Sequence, residues 1–126
     1  MKTIITTSEA PSPIGPYSQA VLANGILFVS GQIAIKPDSG ELVLSSVEAE
    51  TQQVMENVNA VLKQAGCTFA DVVKTTIFLS DMNLFPKVNE IYGSYFSQDF
   101  PARETVAVAG LPKGVNVEIS VTAIKG

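Results

Sequence analysis

A chain of 126 residues fits one domain, residues 1–126, and is long enough to bury a core without disulfides or metal staples. Its net charge of −4 and its lack of any Lys/Arg run argue against nucleic-acid binding, which draws on attraction to phosphate. Histidine is absent, which excludes Ser-His-Asp and Cys-His nucleophiles, His-ligated zinc and any imidazole base. Cys67 is the single cysteine, so neither an internal disulfide nor a Cys-based metal site can form, and a reducing, cytoplasmic setting fits. Met1–Pro11 lacks the pattern of a signal peptide, and runs such as Ile26–Val29 and Val106–Leu111 are too short to cross a bilayer. Charged residues make up 16% of the chain, against roughly 25% in an average globular protein. A domain this poor in charge either hides surface in a subunit contact or wears a Ser/Thr-rich skin as a monomer.

Lys2–Ile5 is short and β-prone, and the prolines of Ala10–Pro16 make the next segment rigid and unable to join a ladder. Gln19–Ala23 and Ile26–Ser30 flank Asn24-Gly25, the pair that best tolerates the positive φ angles of a type I′ hairpin turn. Gly31 to Glu41 reads as a connection, with a turn at Lys36–Gly40. Ser46–Ala65 carries Val47, Thr51, Val54, Val58, Val61, Leu62 and Ala65 on one helical stripe. Ser45 with Glu48 reads as its capping box and Gly66 as its stop, with Glu48, Glu50 and Glu56 on its N-terminal half and solvent side. Val73–Ser80 reads as a strand with Val73, Thr75, Ile77 and Leu79 on one face. Leu84–Phe96 reads as a second helix, capped by Asn83, with Phe85, Val88, Ile91, Tyr92, Tyr95 and Phe96 on its apolar side. Strands Thr105–Ala109 and Val115–Ile124 close the chain around a Leu-Pro-Lys-Gly turn. This order predicts an α+β fold: a mixed sheet with two helices on one face, and a second face that is either solvated or covered by another subunit.

Few residues are candidates for chemistry. Arg103 is the only arginine among eight Lys and Arg residues. A guanidinium grips a carboxylate through two parallel hydrogen bonds, which lysine cannot copy; the alternative is an ordinary surface cation. Glu118 alternates with Val117 and Ile119, which makes it the single acid on a polar sheet face, either solvated or able to handle a water. Gly31, after Ser30, allows close approach of a ligand to the backbone or merely ends a strand. Tyr17 can lend a phenol or simply pack, and Asn89 lies off the apolar stripe of its helix. Cys67 reads as half-buried, with no base to activate it.

Taken in order, these segments resemble one family. Ile14-Gly15-Pro16-Tyr17-Ser18-Gln19-Ala20, Phe28-Val29-Ser30-Gly31-Gln32, Val73 to Leu79, Asn89-Glu90-Ile91-Tyr92, Phe100-Pro101-Ala102-Arg103 and Val117-Glu118-Ile119 are similar, in register over nearly the whole chain, to the RidA (YjgF-type) reactive-intermediate deaminases. The resemblance implies a chorismate-mutase-like fold and a homotrimer with a central barrel and clefts between subunits. It implies hydrolysis of 2-iminopropanoate, 2-iminobutanoate and enamines such as 2-aminoacrylate to 2-oxo acids and ammonia, without metal or cofactor. These species come from pyridoxal-phosphate dehydratases, which suggests a functional link to those enzymes. The site residues it implies are Arg103 for the substrate carboxylate and Glu118 for the water, with Tyr17, Ser30, Gly31, Asn89 and Thr105 lining the cleft. The chain departs from the pattern at Glu104, where a small residue is common, and at Ser120, where many members have a second glutamate. Two other functions share this frame: a non-catalytic binder of small carboxylates that regulates a partner, and a chaperone-like or translation-inhibiting interaction protein.

Overall fold

The computed structural model describes all 126 residues. Strands β1 (Lys2–Ile5), β2 (Ala20–Ala23) and β3 (Ile26–Gln32) precede helix α1 (Val47–Gln64). Strand β4 (Val72–Leu79), helix α2 (Phe85–Gly93), strand β5 (Ala102–Ala107) and strand β6 (Val117–Ile124) follow. The six strands form one sheet in the order β1-β2-β3-β6-β4-β5. Every neighbouring pair is antiparallel except β4 and β5, which run parallel because α2 carries the chain back between them. This is the expected α+β arrangement on a mixed sheet.

Local signals explain most of the elements. Asn24 and Gly25 take φ of 52° and 76°, so the β2–β3 hairpin turns where the Asn-Gly pair stands. In α1, Val54, Met55, Val58, Val61 and Leu62 are fully buried and pack on the sheet. Gly66, at φ +80°, ends α1; the Gly66 amide donates to the Lys63 carbonyl and the Cys67 amide to the Leu62 carbonyl, a Schellman closure.

Several local expectations are corrected. Ser46, not Ser45, caps α1: its hydroxyl accepts from the Ala49 amide at 3.0 Å, so Glu48 belongs to no capping box. Asn83 caps nothing; Asp81 caps a 3-10 turn, Met82–Leu84, that leads into α2, and α2 ends at Gly93 instead of Phe96. In β4 a register shift between Val72 and Lys74 extrudes Val73, which is 47% exposed, so Val72 joins Thr75, Ile77 and Leu79 on the buried face. β5 begins at Ala102, placing Arg103 inside a strand instead of ahead of one. Pairing with β4 supplies the ladder that local propensity does not announce. β6 begins at Val117 because the turn at Pro112–Gly114 holds Val115 out of the ladder. Cys67 is buried, not half-buried; burial, and after it Asp71, pushes its thiol above the ordinary value.

Both helices lie on the face carrying Leu27, Val29, Ile77, Leu79, Val117 and Ile119. The opposite face has no layer over it. Ile4, Val21, Phe28 and Thr122 stand side by side across four strands, and Ile4, Phe28 and Val106 remain 48%, 50% and 43% exposed. Glu118 is not the single acid on this face. Glu104 shares it in register with Thr76 and Ser120, forms an ion pair with Lys74 at 3.0 Å and accepts from the Thr76 hydroxyl.

Candidate functional site

Glu118 projects from β6 into a cleft of about 370 Å³ that also holds Tyr17, Ser30 and Gly31. The β3–β6 register shifts between Val29 and Gln32, which lifts Ser30 and Gly31 out of regular pairing beside Glu118. Gly31 is needed for room, since its φ is not positive. A Cβ there would lie 2.5 Å from Glu118 Oε2 and 2.8 Å from its Cδ. Glu118 is partly buried, and burial raises its pKa above the ordinary 4.5, because an ionised carboxyl loses hydration there. The Ser30 hydroxyl donates to the Ser18 carbonyl at 2.6 Å, and the Tyr17 hydroxyl accepts from the Ile14 amide at 3.4 Å.

Buried side chains hold the walls of this cleft. The Gln19 amide donates to the Thr7, Ala10 and Pro11 carbonyls and accepts from the Thr7 amide, which pins the proline-rich strap carrying Pro11, Ile14 and Tyr17. From α1, Asn57 Nδ2 donates to the Ile33 and Ile35 carbonyls, both at 3.0 Å, and so fixes the facing wall. The strap contributes no ladder bonds, so the Gln19 side chain supplies the bonds that tie its Ala10 and Pro11 carbonyls to the body of the domain.

Arg103 occupies a separate hollow with Asn89, Tyr92, Gly93, Phe100 and Pro101. Its guanidinium lies over the rings of Tyr92 and Phe85, 5.2 and 5.4 Å from their centroids, and Nη1 donates to Asn89 Oδ1 at 2.7 Å. No acidic side chain pairs with it: the ion pairs of the chain are Lys74–Glu104 and Lys87–Glu48. Tyr92 is itself anchored, its hydroxyl donating to Thr75 Oγ1 at 3.0 Å in the core. Thr105 lies two residues along β5 on the same face as Arg103, and its hydroxyl is buried without a partner.

The candidate residues therefore fall into two groups on opposite sides of the sheet. Arg103 is in register with Thr75 and Val121, both buried on the helix face, whereas Glu118 is in register with Phe78 on the open face. One chain gathers Tyr17, Ser30, Gly31 and Glu118; the same chain gathers Arg103, Asn89 and Thr105 elsewhere.

Phe85 and Tyr92 were legible only as an apolar stripe, and nothing in their spacing marks them as a shelf for a cation. Glu50, assigned to the solvent side of α1, is fully buried. No group of three or more Cys, Asp or Glu side chains is arranged to hold a metal ion.

The profile of one family, described as endoribonuclease L-PSP, matches residues 7–125. The chain belongs to that family. A human protein named 2-iminobutanoate/2-iminopropanoate deaminase is 50% identical over 126 residues, covering 100% of this chain and 92% of its own length. A Rid-family protein from Yersinia pestis, YyfA, superposes with a TM-score of 0.96 at 54% identity, over 98% of this chain and 99% of its own. Escherichia coli TdcF, solved with bound serine, superposes with a TM-score of 0.94 at 38% identity, over 98% and 99% of the two chains. The resemblance to RidA (YjgF-type) proteins drawn from the sequence thus holds over the whole chain. No helix of this family member is long and apolar enough to cross a membrane.

Proposed function

We propose that this protein hydrolyses short 2-imino acids and their enamine tautomers to 2-oxo acids and ammonia, without metal or cofactor, at sites completed between copies of the chain. Full-length relatives of about half-identical sequence that carry the deaminase name support the activity. The observation that carries the mechanism is Arg103. It is a cation with no acidic partner, oriented by Asn89 and two aromatic rings, with most of its donors free. That is a seat for a small carboxylate.

The reaction asks little of the protein. The substrate carboxylate docks on Arg103, which fixes the electrophilic imine carbon. Glu118 accepts a proton from a water as its oxygen adds to that carbon, giving a carbinolamine. The protonated carboxyl gives that proton to nitrogen, and as the C–N bond breaks it takes the proton of the new hydroxyl and passes it to the departing ammonia, so that the carbonyl of the 2-oxo acid forms and the carboxylate is regenerated. One water is consumed and one ammonia released. Positioning and one carboxyl that moves the two water protons in turn suffice, because the imine carbon needs no further activation. Thr105, with its unpartnered hydroxyl beside Arg103, is suited to a substrate oxygen or nitrogen.

Because Arg103 and Glu118 face away from each other in one chain, the reading requires Arg103 of one copy to meet Glu118 of the next. A homotrimer closed around the uncovered sheet face, where Ile4, Phe28 and Val106 stand exposed among polar residues, satisfies this, and the poverty in charge agrees with it. The substrates implied are imines released by pyridoxal-phosphate dehydratases in the cytoplasm. The test is a coupled assay: a threonine dehydratase generates the imine, semicarbazide traps what survives, and 2-oxobutanoate is followed. The protein should shorten the life of the imine, with EDTA and Cys67→Ser without effect. An unchanged imine lifetime would refute the hydrolase, and tight 2-oxo acid binding in that case would favour the regulatory binder.

A further inference from the structure

We infer that Glu50 is a positioning residue for Glu118, a role that rests on the hydrolytic reading above. Glu50 stands in the first turns of α1 and its side chain is fully buried. Burying a carboxyl group is costly unless its oxygens are satisfied, and here they are. Oε2 accepts from the Asn116 amide at 2.8 Å and the Val117 amide at 3.0 Å, and Oε1 accepts from Asn116 Nδ2 at 2.9 Å.

The place of these bonds gives them their meaning. Residues 116 and 117 lead the chain out of the Pro112–Gly114 turn and into β6, and Glu118 follows at once. The Asn116 amide lies ahead of the strand and takes its partner from Glu50. On its other side Asn116 is tied to β4: the Ser80 amide donates to its carbonyl at 3.0 Å and the Ser80 hydroxyl to its Oδ1 at 3.0 Å. Glu50 and Ser80 thus clamp the peptide units immediately before Glu118. That restraint matters because Glu118 sits against Gly31 with no room for even a methyl group between them. A small shift of the strand start would move the carboxyl off its position over Gly31. Gln19 and Asn57 hold the cleft's walls, whereas Glu50 holds the base of its acid. No residue of α1 lines the cleft, so Glu50 reaches the substrate only through Glu118.

Four proteins test this: wild type, Glu50→Gln, Glu50→Asp and Glu50→Ala. Glutamine keeps one oxygen at the same reach for the two backbone amides. Aspartate keeps the carboxyl group but withdraws it by one methylene. Glu118 is followed directly through its carboxyl ¹³C titration, assigned with Glu118→Gln, and turnover is measured as kcat and KM. The expected result is that Glu50→Gln, which keeps the two backbone bonds and loses only the one from Asn116 Nδ2, departs least from wild type. Glu50→Asp and Glu50→Ala should return the Glu118 titration toward the ordinary carboxylate range and lower kcat roughly tenfold to a hundredfold, as a misplaced reacting group does. KM, set by the Arg103 grip, should change less than about threefold. A folded Glu50→Asp with unaltered Glu118 titration and wild-type kcat would overturn the role. So would failure of both shortened variants to fold, since Glu50 would then be a folding strut alone. If wild type hydrolyses no imine, the hydrolytic reading falls, and the carboxyl titration still decides whether Glu50 positions Glu118.

Discussion

Gly31 and Glu118 share one space: the carboxyl of Glu118 fills the volume that any side chain at position 31 would need, with Oε2 2.5 Å from where a Cβ would stand. The far end of Glu118 is flexible, so alanine at position 31 should displace the carboxyl without unfolding the domain. Gly31→Ala is therefore expected to leave the melting temperature within a few degrees of wild type while cutting kcat about tenfold or more. Circular dichroism melts and the coupled imine assay check both halves; wild-type turnover would show that Glu118 need not sit there.

The raised pKa of Glu118 gives a pH dependence with a defined sign. A base must be ionised, so kcat/KM should fall as pH drops through the Glu118 value, and that acid limb should lie above the ordinary 4.5. Stability moves the other way. The folded state holds this proton more tightly than the unfolded chain, so the group's contribution is fully present below its unfolded value and is lost as pH rises through the raised one. Glu118→Gln should flatten this part of the stability profile. The rate profile of the wild type and melts of both proteins across the acid range would show it.

Arg103→Ala should weaken 2-oxobutanoate binding at least tenfold, since charge-assisted hydrogen bonds contribute about 1.5–3 kcal/mol. Arg103→Lys should recover little, because the ammonium has neither the fork nor the planar fit over Phe85 and Tyr92. Asn89→Ala should give a milder loss, as it removes one orienting bond and leaves the cation. Titration calorimetry with 2-oxobutanoate reads all three; equal affinity in Arg103→Lys would assign the arginine a purely electrostatic role.

The fold was largely legible because its signals are local: the Asn24-Gly25 turn, the α1 stripe ending at Gly66, and the alternation of β6 around Glu118. What escaped depends on partners distant in sequence. The bulge at Val73 and the early start of β5 arise from pairing across β4, β5 and β6. Glu50 looks like any helix N-terminal acid until residues 116 and 117, more than sixty positions away, come to meet it. The candidate site residues could be named singly. That Arg103 and Glu118 occupy opposite faces becomes visible only with the strand register.

The most direct test of a site shared between subunits is complementation. Arg103→Ala and Glu118→Gln should each be inactive, and each should scatter light as a particle of about three times 13.3 kDa. Unfolded together in equal amounts and refolded, they should form mixed trimers. A site is complete where an intact Arg103 from one variant meets an intact Glu118 from the other. In a ring of three with random assembly, about a quarter of the sites meet that condition. Roughly a quarter of wild-type imine hydrolysis should return, and none when the two variants are mixed without unfolding. Mixed trimers that form and remain inactive would contradict it.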